Sequence, residues 1–167
     1  MNNLVFKHGF RFILLVLLQV TIFNYVDFLG YINPMIYILF IILFPLRNNR
    51  MVFLIVAFFL GLSVDMFSDT GGIHAGASVL LAYIRPTITK FSFGSLNEFY
   101  NVKFNAIDFA KRFTYIIIMV IIHHFVVYSL DFFNFFQILN ILKYTLFSGI
   151  FSVFLILIMT ITFSSKK

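Results

Sequence analysis

Six apolar runs, at 12–26, 34–44, 52–64, 73–84, 113–130 and 144–163, take up most of the chain, and its charges lie almost wholly in the breaks between them. No other feature constrains the fold as strongly. Runs of this kind have too few polar side chains to cover themselves with a wettable surface. Hydrophobic residues make up 62% of the 167 and charged residues 11%, whereas a soluble domain keeps about a quarter of its residues charged. The solvent for most of the chain is therefore lipid, and the expected fold is an all-α, polytopic membrane protein forming a single domain over residues 1–167.

At about 1.5 Å of rise per residue, the fifth and sixth runs reach roughly 27 and 30 Å, enough to cross hydrocarbon. The other four need flanking polar residues to dip in, or a locally thin bilayer. The second run is the weakest, bracketed by Pro34 and Pro45. Pro34 suits a first helical turn with Asn33 as its cap, and Pro45 closes the helix. Residues 1–26 look like a signal peptide, with Lys7 and Arg11 ahead of an apolar core. No small-residue cleavage pattern follows, so the segment reads as a retained first span.

Charge placement tests the count. With six spans, Lys7 and Arg11, Arg47 and Arg50, the basic residues of 85–112, and Lys166 and Lys167 all fall on one side, and of the 12 basic residues only Lys143 falls opposite. Asp27, Asp65, Asp69 and Asp131 lie on the side poor in lysine and arginine. The positive-inside rule then places both termini in the cytoplasm. Five spans would scatter the basic residues over both faces. The same distribution makes a net charge of +6 an orientation signal rather than a nucleic-acid-binding surface. Within the expected cytoplasmic loop 85–112, Ser95 to Glu98 has the form of a capping box. Leu96, Tyr100, Phe104 and Ile107 follow at roughly helical spacing, which fits a short helix on the membrane surface, with an ordinary connecting loop as the alternative. This loop is also a candidate surface for cytoplasmic partners or anionic lipid, or simply a topology signal.

The stretch LGLSVDMFSDTGGIHAGASVLLAY, residues 60–83, concentrates the candidate site residues. Ala57, Gly61, Asp65 and Asp69 recur every four residues and form one drifting stripe on a helix. Asp65 lies about 22 Å along the axis from Arg50 and Asp69 about 28 Å. An ionised carboxylate facing lipid at that depth is costly, so Asp65 should point into the bundle. Gly72, Ala75, Gly76, Ser78 and Ala82 give the next span a face of small residues across which helix backbones can approach closely. The expected unit is a tight hairpin joined by Asp69-Thr-Gly-Gly. Three roles are open to its carboxylates: hydrogen bonding or capping within the bundle, presentation of a protein-binding surface, or a proton, metal or catalytic site with His74. Aspartyl intramembrane proteolysis needs opposed carboxylates on facing helices, whereas these two share one helix at its rim.

Other polar residues fall within the apolar runs. His123 lies near the midplane, and His124 points about 100° away around the helix, so the two cannot face one site squarely. Interhelical hydrogen bonding by neutral rings and a proton relay are both open to them. Gln19 is a further interhelical hydrogen-bond former. Cysteine is absent, and no pair has metal-ligand spacing on one helix. No phosphate loop or nucleophile elbow is present either, so no catalytic residue, metal site or cofactor is expected.

Three segments together resemble the rod shape-determining MreD family: LLQVTIFN at 17–24, FLGYINPMIYIL at 28–39, and FFLGLSVDMFSDTGGIHAGASVLLAYIRP at 58–86. Gly61 with Asp65, and Gly72 to Ala75, carry the resemblance most directly. It implies a non-enzymatic component of the bacterial inner membrane that binds MreC and helps couple MreB filaments to the peptidoglycan synthases RodA and PBP2. On that expectation Gly61, Asp65, Asp69, Gly72, His74 and Gly76 are candidate partner-binding residues. The family is also similar in fold to the S components of energy-coupling-factor vitamin transporters, which supply the alternative function. S components typically dock through an Ala-x-x-x-Ala surface on the first span, and 12–26 contains neither alanine nor glycine.

Overall fold

A computed structural model of the chain describes residues 2–26, 30, 32–45, 49–94, 104 and 107–164. Among these the protein is all-helical. Its α-helices are α1 (Asn2–Thr21), α2 (Ile38–Leu43), α3 (Arg50–Ser68), α4 (Ile73–Phe93), α5 (Phe109–Phe132) and α6 (Ile138–Ser164). Short 3-10 turns at Phe23–Tyr25 and Phe135–Gln137 follow α1 and precede α6. Asn49 caps α3 by accepting a hydrogen bond from the Met51 amide, and Asp108 caps α5 by accepting from the amides of Ala110 and Lys111. Both satisfy amides that have no partner inside their own helix.

Four segments among the described residues are long and apolar enough to cross a membrane: Phe6–Tyr25, Arg50–Ser68, Phe109–Phe132 and Ile138–Thr160. The exterior departs from that of a water-soluble bundle, because much of it is apolar. On α6, Leu139, Leu142, Leu146, Ile150, Phe154 and Ile158 form an exposed apolar stripe at helical spacing. The opposite face buries Thr145, Ser148, Ser152 and Thr160. Small polar groups turned inward behind an apolar exterior are the arrangement expected when the surrounding solvent is lipid, because polar groups there must find partners inside the protein.

The most extensive packing joins α3 to α4, α4 to α5 and α5 to α6. Ring contacts fix the two ends of the bundle. At one end His8 packs on Phe44, Phe44 stacks on Phe53, and Arg50 lies over Tyr83. We call this the basic end. At the other, Tyr144 packs on Tyr128 and Phe132, while Asn24 hydrogen-bonds Ser68. Asp69 and Asp131 lie here, and we call it the aspartate end.

Two elements depart from the sequence expectation. The second apolar run does not begin a helix at Pro34; residues 33–35 are non-helical, 36 and 37 form a turn, and α2 spans only Ile38–Leu43. This irregular backbone is nonetheless buried, which is possible because side chains satisfy its amides. Ser148 Oγ accepts from the Asn33 amide, Ser152 Oγ from Met35 and Gln19 Oε1 from Ile36. Asn33 therefore donates its backbone amide to Ser148 here rather than capping a helix. The fourth run, expected to end at 84, continues as helix to Phe93 past Pro86. Arg85 is completely buried rather than part of a cytoplasmic loop. The capping box at 95–98 and most of the expected surface helix, like Asp27 and Arg47, lie outside the described residues.

Candidate functional site

Asp65 sits one turn before the end of α3 and is almost fully buried. Its carboxylate crosses to the start of α4, where Oδ1 accepts from the His74 amide at 2.9 Å and Oδ2 from the Ala75 amide at 2.8 Å. The Thr70 hydroxyl also donates to Oδ1. One anion thus satisfies two of the unpaired amides at the positive end of a helix dipole. The intervening turn needs a left-handed backbone at Asp69 (φ 54°), Gly71 (φ 61°) and Gly72 (φ 98°). Glycine takes this conformation without a steric penalty and aspartate tolerates it, which accounts for the sequence Asp69-Thr-Gly-Gly.

Gly61 makes the hairpin tight. A β-carbon at this position would be driven into the His74 carbonyl and stand 2.5 Å from Ala75 Cα. Ala75, Ser78 and Ala82 are buried as the small-residue stripe requires, but Gly76 is exposed and Gly72 serves the turn. Asp69 is exposed at the tip. The two aspartates therefore differ: one locks the hairpin from inside, the other projects from its end.

His74 continues the network inward. The hydroxyl of the fully buried Tyr37 lies 2.9 Å from His74 Nδ1 and 2.9 Å from His123 Nε2. It carries one proton, which can serve only one of the two rings, so at least one histidine must donate to the hydroxyl. His124 faces elsewhere, with Nδ1 2.9 Å from the Val120 carbonyl and Nε2 3.0 Å from Ser152 Oγ. The adjacent histidines thus serve different neighbours, as their angular separation requires. Ser152 also accepts from the Met35 amide, so His124 helps to orient the group that holds the irregular segment.

Gln19 and Arg85 hold the two ends of that segment and of α2. Gln19 Nε2 donates to Asn24 Oδ1 and to the Pro34 carbonyl, while its oxygen accepts from Ile36. Arg85 donates to the Ile42 carbonyl at 2.9 Å and to the Tyr115 hydroxyl at 2.8 Å. A cation at the carbonyl end of α2 opposes the negative pole of that helix.

A cavity of about 350 Å³ opens at the aspartate end, between the end of α1, Asn33 and Met35, the α3–α4 turn and the last turns of α5. Gln19, Asn24 and His74 line it, and so do Asn33, Tyr128 and Asp131, of which the last three were not singled out from sequence as site residues. Tyr37, Arg85, Ser148 and Ser152 were also missed. A signal did exist for part of this set, since Thr145, Ser148 and Ser152 recur at i, i+3 and i+7, one face of a helix. No group of three or more histidine, aspartate or glutamate side chains is arranged to hold a metal among the described residues. Comparison of the chain with protein-family models, curated proteins and solved structures finds no match.

Proposed function

We propose that the chain is a non-enzymatic scaffold of the bacterial cell-elongation complex. It threads the inner membrane six times, with the irregular segment and α2 as its second pass and both termini in the cytoplasm. In this role it binds MreC and helps couple MreB filaments to the synthases RodA and PBP2. One observation carries the reading: the residues behind the family resemblance, Gly61, Asp65 and Gly72 to Ala75, build a single rigid unit. That unit locks through Asp65 and leaves Asp69 exposed at its tip. Asp69 is accordingly the carboxylate available to a partner, while Asp65 keeps the surface in shape.

Affinity purification from detergent-solubilised native membranes, followed by mass spectrometry, tests the proposal. MreC, RodA and PBP2 should be enriched, and Asp69→Asn should reduce MreC recovery while the variant remains folded. Failure to recover MreC would overturn the reading.

The cavity favours a second reading, capture of a small molecule in the manner of an S component. Paired transporter ATPases in the same purification would support it. The absence of alanine and glycine from residues 12–26 weighs against it.

A further inference from the structure

The apolar exterior is not flat where α3 meets α4. A groove of about 660 Å³ opens there, walled by Phe58 and Leu62 from α3 and by Gly76, Val79, Leu80 and Tyr83 from α4. No charged side chain lines it. Packing within the chain gives no reason for its glycine, since a β-carbon on the exposed Gly76 would meet only Leu130 Cδ1 at 3.9 Å. Glycine inside a helix is destabilising relative to alanine. What it provides here is bare backbone that a group from outside can approach closely.

A cation stands at one end of the groove. Arg50, exposed in the first turn of α3, holds its guanidinium 4.6 Å from the centroid of the Tyr83 ring, with Nη2 3.5 Å from the Tyr83 carbonyl. Stacking uses the face of the guanidinium and leaves donors along its edge for a phosphate. The first turn of a helix is the positive pole of its dipole and favours acidic over basic residues. Arginine at this position instead concentrates positive charge, which suits an anion. Asp69, the exposed carboxylate of the hairpin, lies at the opposite end of α3.

Length identifies the occupant. From Gly72 to Tyr83 the groove follows α4 for about 16 Å, close to one leaflet of a bilayer whose hydrocarbon is roughly 30 Å thick. A membrane-crossing helix would need a seat along the whole thickness. A cation at the rim of a leaflet-deep apolar groove matches a lipid with a negative headgroup.

We propose that this groove is a binding site for an anionic phospholipid, with one acyl chain lying against Gly76 and the headgroup phosphate paired with Arg50. The site needs the bundle to lie in a membrane and needs no partner protein, so it stands apart from the scaffold reading.

The full chain in neutral detergent is titrated with phosphatidylglycerol, and separately with phosphatidylethanolamine of the same acyl chains, and bound lipid is read by native mass spectrometry. Phosphatidylglycerol should be retained in preference, because the ammonium of the other headgroup competes for its own phosphate. Arg50→Gln should weaken that binding about five-fold. Gly76→Leu, which fills the groove, should weaken it too, while its denaturation midpoint in lipid-free detergent stays near that of the native chain. Lys111→Gln removes an exposed cation from the same end of the bundle and should leave binding unchanged. Equal retention of the two lipids would overturn the proposal. So would equal losses in Arg50→Gln and Lys111→Gln, or undiminished binding in Gly76→Leu. Disulfide-linked dimers of Leu80→Cys in native membranes would make a second copy of the chain the occupant, and would overturn it as well.

Discussion

Replacing Gly61 with alanine puts a methyl group against backbone that cannot step aside, because the colliding atoms belong to the first turn of α4. Overpacking of this kind costs about 1–3 kcal/mol or more, and thermal denaturation in detergent should show a clearly lowered midpoint for Gly61→Ala. Gly76→Ala provides the contrast. Its β-carbon would meet only Leu130 Cδ1 at 3.9 Å, so its midpoint should stay near that of the native chain. Asp65→Ala removes the acceptor for two helix amides and a hydroxyl. Each buried donor left unpaired costs about 1–3 kcal/mol, and the same measurement should rank this change among the most damaging in the chain. Asp69→Asn keeps a side chain suited to the left-handed backbone and should change stability by less than about 0.5 kcal/mol.

At the scale of elements, the informative segment is the one that is not a helix. Irregular backbone survives in the interior because Gln19, Ser148 and Ser152 replace the bonds that a helix would have made within itself. Gln19→Leu should therefore do more than lower stability by about 2–3 kcal/mol. It should also accelerate hydrogen exchange at the Ile36 amide relative to amides within α3. Equal exchange at Ile36 in the native and variant chains would show that Gln19 does not hold the segment.

The apolar runs made the existence of α1, α3, α5 and α6 legible, and the Asp65 stripe indicated an inward-facing carboxylate. The path of 32–37 was not legible, because proline after asparagine is equally good punctuation for a helix start and for irregular backbone. What decides between them are serines more than a hundred residues away. Arg85 was misplaced for a similar reason. A charge next to proline at the end of an apolar run resembles an interface marker, and only the carbonyl end of α2 explains why it turns inward.

For the whole molecule, the account depends on the bundle lying across a bilayer with its two ends in different compartments. The chain has no native cysteine, so single cysteines can be placed without background reactivity. Asp69→Cys and Asn134→Cys mark the aspartate end, while Lys90→Cys and Lys111→Cys mark the basic end; all four positions are exposed. The direct measurement is labelling of each variant with a membrane-impermeant maleimide, on intact spheroplasts and again after permeabilisation. Modification of Asp69→Cys and Asn134→Cys in intact spheroplasts, with Lys90→Cys and Lys111→Cys reacting only after permeabilisation, is the result predicted. Reaction of both ends from the same side would contradict the account.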